Sequence, residues 1–378
     1  MDTSCPEILL LHTVSQPEIR YGRLQKAAGR TAPVGLACLA AAFPGRAVMA
    51  DLQAAPPEDR LADLPTGEGL RAVVVQAASD WTEDTSAAFS QALARRYPGA
   101  RRVLGGAVRR RFARDWDILL SGTGRTLLAS LLAGGPSPAG WRETLADDLR
   151  DPLPVPEVLL PEAGSYSVSV EKQITGRTVG IYQPWLGLLD RTTRLGAPAP
   201  AGFLDRLVPW LARSGFGSAA FAAPVFPADT FGRLQEICAR NRFPFSLAVA
   251  DPDEAAAIAL LPTGFLDRLW LHPGGQFEML DAFARIAPRF GEAAVPIGLR
   301  LTGALAGDPD LDGLGPFCDQ LSVEHPLDWD CFRLRCTLIE FYLRQGRLWR
   351  HLWRLRSARD LLGFMRGAYG IFDLLIRK

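Results

Sequence analysis

The sequence predicts an α/β protein. It divides into a doubly wound, Rossmann-like first domain (1–135), a linker (136–175), a partial TIM-like (β/α)6 barrel (176–325) and a basic helical C-terminal region (326–378). Three observations lead there. Short apolar runs alternate with longer amphipathic stretches at the spacing of βα units, which means parallel sheets. Glycines close several of the runs, at Gly105-Gly106 and at Gly122 and Gly124, where strand hands over to helix. Prolines then crowd into one interval, from Pro136 to Pro161, between two such series.

In order, Ile8 to His12 is an apolar run of the kind a central parallel strand shows when buried on both faces. Pro33 opens a helix that continues through Ala and Leu to Phe43. Ala47–Asp51 and Ala72–Gln76 read as strands, and Thr82–Tyr97 as a helix with one apolar face. Arg102–Gly106 and Asp117–Ser121 are strands, the second leading into a helix over Thr126–Leu132. The proline-rich interval is expected to be a linker with one short helix near Trp141–Leu149. Strands then recur at Val179–Tyr182, Ser218–Ala222, Phe245–Val249, Leu269–Leu271, Val295–Leu301 and Gln320–Val323, with helices between most of them. That number suits a partial barrel and falls short of eight.

Composition excludes several classes. With 378 residues, 48% hydrophobic and 22% charged, the chain is long enough for two folded domains and too apolar to be mainly disordered. A net charge of +1 argues against a field built for nucleic acid. The start, Met1 to Glu7, carries acids and no base, and no apolar run approaches the roughly 18 residues of a membrane span, so no transmembrane segment and a cytoplasmic location are expected. The cysteines (Cys5, Cys38, Cys238, Cys318, Cys331, Cys336) form no Cys-x-x-Cys pair and are expected to be small buried hydrophobes.

Several segments together resemble radical SAM proteins with an N-terminal cobalamin-binding domain. Pro33–Ala42 looks like the first helix of that cobalamin domain, with Asp51 closing its second strand. Val103-Leu104-Gly105-Gly106 looks like its strand and glycine pair, and Ser121–Leu127 like its Gly-Glu-Gly-Glu stretch with both acids lost. Leu269–Gln276 looks like a late barrel strand and its loop. Where the family places three closely spaced cysteines for an iron–sulfur cluster, this chain reads Tyr182–Asp190, so that Gln183, Gly187 and Asp190 stand at the ligand positions. None is a thiol, and a cubane cluster needs thiolates, so no iron–sulfur cluster is expected and radical chemistry is lost on this reading.

The resemblance implies three readings, in this order. The first is a catalytically degenerate, non-catalytic partner of an active enzyme in the same biosynthetic pathway, presenting a small-molecule or peptide substrate. The second is a cobalamin carrier or sensor. In that case His12, Gln76, Gly105, Gly106, Gly122 and Gly124 are the cofactor-side residues, although the family often has serine where Gln76 stands. The third is a cluster-independent transferase using the old barrel mouth, with His272 and Gln276 beside Asp190. Catalytic residues are not assigned, and no metal site is expected.

Two further clusters have ordinary readings. Arg101-Arg102 with Arg109-Arg110-Arg111 and Arg114 could face nucleotide phosphates, but a solvated face is the commoner use of such a run. The segment from Arg333 to Lys378 interleaves ten arginines with Trp349, Trp353, Phe364, Tyr369 and Phe372. It reads as helices packing an aromatic stripe inward, with partner binding next.

Overall fold

The computed structural model describes residues 6–13, 32–52, 64, 65, 67–77, 81–106, 110–121, 124–135, 140–143, 153–157, 178–181, 202–221, 228–271, 277–292, 295, 297–301 and 318–323. The chain divides into two compact units, Met1–Pro161 with Tyr182–Trp210, and Glu162–Ile181 with Leu211–Lys378. Each is built on a parallel six-stranded sheet. The α/β class read from the sequence is what the fold shows.

The first sheet contains β1 (Ile8–His12), β2 (Ala47–Asp51), β3 (Ala72–Ala77), β4 (Arg101–Gly106), β5 (Ile118–Ser121) and β6 (Gly140–Glu143), in the order β2-β1-β3-β4-β5-β6. From β1 the chain crosses to one side for β2 and to the other for β3, which defines a doubly wound sheet with a switch point between β1 and β3. Ile8, Leu9, Leu10 and Leu11 of β1 and Val73, Val74 and Val75 of β3 are all fully buried, so both faces of the sheet centre are covered. On one face, α2 (Glu83–Arg96) adds Phe89 and Leu93 to a core with Leu9, Leu11, Val73, Val75, Leu104, Trp81 and Trp116. Burying side chains of this size stabilises the fold by about 1.5–3 kcal/mol each. Thr82 starts α2 by accepting the Thr85 N–H, and Glu83 and Asp84 complement the helix dipole. Helix α1 (Val34–Ala41) lies against β1 and β2, and α3 (Arg125–Leu132) follows β5.

Residues 140–143 correct the sequence reading. The interval expected to be a linker, with a helix starting near Trp141, instead supplies β6, paired in parallel with β5 from Ile118–Gly140 to Ser121–Glu143. Without β6, the outer side of β5 would be an open row of backbone donors and acceptors. The ladder bonds outweigh the weak local helix preference of so short a segment.

The second sheet contains β7 (Thr178–Ile181), β8 (Ser218–Phe221), β9 (Phe245–Val249), β10 (Leu266–Leu271), β11 (Ile297–Leu301) and β12 (Cys318–Val323), in sequential order. Helices α4 (Phe203–Arg213), α5 (Ala228–Asn241), α6 (Pro252–Ile258) and α7 (Phe277–Glu292) precede β8, β9, β10 and β11. Sequential parallel order without a switch is the order of neighbouring strands in a (β/α) barrel.

The two rows of this sheet differ in chemistry. One row holds Phe221, Phe245, Leu247, Val249, Leu269, Leu271, Ile297 and Leu299, and Phe231 of α5 packs on Phe245 with ring centroids 5.9 Å apart. The other row holds Ser218, Ala220, Ser246, Ala248, Arg268, Trp270 and Gly298. The first sheet carries Leu and Val on both faces at its centre; this one carries large apolar side chains in one row and mostly small residues, with Arg268 and Trp270, in the other.

Candidate functional site

In a doubly wound sheet the crevice outside the carboxyl ends of the strands, at the switch point, is where a ligand can reach several backbone termini at once. The register places four polar or small residues there in one row. His12 is opposite Asp51 of β2 on one side and Gln76 of β3 on the other, and Gln76 is opposite Gly105 of β4. Of the residues expected from the sequence, His12, Gln76, Gly105 and Gly106 are therefore brought together at adjacent strand ends.

His12 supplies the imidazole of the row. Its Nδ1 lies 3.2 Å from Asp51 Oδ1, with the two side chains 10% and 18% exposed. A carboxylate held so close favours the proton on Nδ1 and fixes the ring plane. The backbone around the pair is tied down: Leu52 N–H donates to the His12 carbonyl, and Thr13 Oγ1 donates to the Gln76 carbonyl at 2.8 Å. The sequence does not single out Thr13, because a hydroxyl bonded to a carbonyl across 63 residues leaves no local pattern.

Gly106 has a left-handed backbone, φ +84°, and a Cβ built on it would lie 2.8 Å from the Ala77 carbonyl oxygen. The glycine is thus required by the approach of β4 to the end of β3, independently of any ligand. Gly124, φ +82°, precedes α3 and likewise holds a conformation that side-chain-bearing residues avoid. Gly122, Gln183, Gly187, Asp190, His272 and Gln276 lie outside the described residues, as does the C-terminal region 326–378.

The basic run near β4 is partly consumed within the fold. Arg102 grips Asp117 through Nη2 to Oδ1 at 2.8 Å and Nε to Oδ2 at 3.1 Å, and its Nη1 donates to Ser90 Oγ. Burial alone raises the Asp117 pKa, but the hydrogen bonds and charge of Arg102 outweigh it and hold the carboxyl below its ordinary value. A pocket beside this pair, lined by Tyr97, Pro98, Arg101, Arg102 and Asp117, opens at the amino end of β4, away from His12. Among the described cysteines, Cys38, Cys238 and Cys318 are buried. Burial pushes the Cys38 thiol up and the Cys238 thiol up to about 12, so both stay protonated packing groups as expected.

No family model matches the chain, and no curated protein matches it. Among solved structures, tryptophan synthase from M. tuberculosis is similar over 97% of this chain and 92% of its own, with 13% identity and a TM-score of 0.27. The carboxyl transferase domain of Rhizobium etli pyruvate carboxylase is similar over 98% of this chain and 49% of its own, with 10% identity and a TM-score of 0.29. Scores this low define no shared fold. Fold and site together describe an α/β protein of parallel sheets with a polar row at the switch point of the first. Among the described residues, no helix is long and apolar enough to cross a membrane.

Proposed function

We propose that this chain is a cluster-less relative of the cobalamin-dependent radical SAM proteins that serves an active biosynthetic enzyme as a non-catalytic subunit. The observation that carries the reading is a contrast within one chain. Two parallel α/β sheets are kept, with an ordered polar row at the switch point of the first, while residues 182–190 offer no thiolate. A framework kept after its reactive centre is lost retains its surfaces, and surfaces serve docking and substrate presentation. The test is affinity purification of the tagged full-length chain from its source cells. A second protein at stoichiometric level, itself bearing a cluster motif, is expected. A monodisperse monomer with no co-purifying protein would overturn the proposal.

The His12–Asp51 pair favours a second reading, a corrinoid carrier or sensor. On this reading His12, set against Asp51 through Nδ1, is the residue that would hold cobalt. A corrinoid, when bound, supplies a cobalt centre able to carry a methyl group. The chain's own part is to orient the imidazole through Asp51 and to hold the β1 and β3 ends together through Thr13 and Gln76. Gly106 adds no support, since packing alone requires it. Cobalamin that leaves the purified protein's absorption spectrum and thermal midpoint unchanged would dismiss this reading.

A further inference from the structure

The two edges of the first sheet differ in how they are protected. An open edge invites pairing with another chain, and natural sheets guard it with charges, prolines, bulges or very short strands. Strand β6 is four residues long and carries Arg142 and Glu143. Strand β2, Ala47-Val48-Met49-Ala50-Asp51, has no proline and one charge, at its last residue. Its register with β1 runs unbroken from Ile8–Ala47 to His12–Asp51, so no bulge turns this edge away. All five of its residues are half-buried, whereas β1 beside it is buried throughout.

Bonding to β1 fixes which backbone groups of β2 point outward. Ile8 N–H donates to the Arg46 carbonyl, and Leu52 N–H donates to the His12 carbonyl. In a parallel ladder alternate residues of a strand bond the same neighbour, so Arg46, Val48, Ala50 and Leu52 serve β1. Ala47, Met49 and Asp51 turn their N–H and C=O groups to the outer side. Ala47 N–H is used there by the Phe43 carbonyl at 3.0 Å. Among the described residues nothing bonds the N–H or C=O of Met49, a pair of groups that a further strand would satisfy.

The charges point to a second copy as that strand. At the amino end of β2, Arg46 and Arg71 share the Glu7 carboxylate, a surplus of one positive charge in that cluster. At the carboxyl end stands Asp51. An antiparallel copy reverses the order, so each positive end meets the negative end of the other. With a two-fold axis at Met49, that residue faces Met49 of the second copy as a hydrogen-bonded pair, and Ala47 faces Asp51. No like charges are opposed in this register.

We propose that β2 is a homodimerisation edge: two copies of this chain pair antiparallel through Ala47–Asp51 and join two six-stranded sheets into one continuous sheet. The interface belongs to the first unit alone and does not depend on the reading given above.

The test is analytical ultracentrifugation of the full-length chain over a wide concentration range. A reversible monomer–dimer equilibrium is expected. Met49→Pro removes the outward N–H and sets the proline ring in the edge, while every bond from β2 to β1 stays in place. Dimerisation should therefore weaken about tenfold or more, with the circular dichroism spectrum unchanged. Should Met49→Pro fail to fold, Met49→Lys decides, because it sets like charges face to face at the axis, and the same loss is expected. A monomer at every concentration of the native chain would overturn the proposal. So would an undiminished dimer in a folded Met49→Pro variant, or in Met49→Lys where Met49→Pro does not fold.

Discussion

Replacing Gly106 with alanine separates backbone geometry from ligand contact as the reason for this glycine. Two penalties add. Placing a Cβ-bearing residue at φ +84° costs about 1–2 kcal/mol. The new methyl would also sit 2.8 Å from the Ala77 carbonyl oxygen and 3.1 Å from Gln76 Cγ. Both neighbours belong to β3, whose pairing with β4 is continuous from Ala72–Arg101 to Ala77–Gly106, so relief requires moving backbone, at about 1–3 kcal/mol more. Gly45 is the matched control: it is also left-handed, φ +73°, but nothing lies within 4 Å of its Cβ position, so Gly45→Ala carries the first penalty alone. Urea denaturation followed by circular dichroism should therefore show Gly106→Ala losing about 2–5 kcal/mol and Gly45→Ala about 1–2 kcal/mol. Equal losses, or a loss under about 0.5 kcal/mol at Gly106, would refute the reasoning.

Three other outcomes follow from the same structure. Gly298→Ala should destabilise by about 1–3 kcal/mol because its methyl meets the Trp270 ring, and a Trp270→Leu background should recover part of that in a double-mutant cycle by denaturation. Thr13→Val should cost about 1 kcal/mol through the lost bond to the Gln76 carbonyl, read the same way. Asp117 has a folded-state pKa below its unfolded value, so its pairing with Arg102 contributes fully above about pH 5 and is lost as pH falls through the lowered value. The stability difference between the native chain and Asp117→Asn should accordingly shrink on acidification and be constant from pH 5 to 7, as urea titrations at several pH values will show.

Much of the framework was legible because burial writes itself into composition. Leu9, Leu10 and Leu11 or Val73, Val74 and Val75 in unbroken runs signal a strand covered on both sides. Strand β6 was not legible, since its stability comes from the exposed edge of β5 rather than from its own residues. The partnership of His12 with Asp51 was hidden for a related reason. Each ends an apolar run, but that the two runs are neighbours in register, His12 opposite Asp51, is a fact of pairing across 39 residues. The row of small residues in the second sheet is visible as alternation in Phe245-Ser246-Leu247-Ala248-Val249, where every second residue is small. A β-bulge between Leu266 and Arg268 breaks the same alternation on β10 and obscures Arg268.

The central claim is that a scaffold of this lineage persists without its cluster, and the metal content of the protein tests it most directly. The chain should be purified anaerobically from cells supplied with cobalamin, with iron and cobalt quantified and the absorption spectrum recorded. The account predicts no iron at cluster stoichiometry; cobalt near one equivalent would add the corrinoid-carrier reading to it. Iron at about four equivalents with the absorption of a cubane cluster would contradict the account, because residues 182–190 contain no thiolate to hold one.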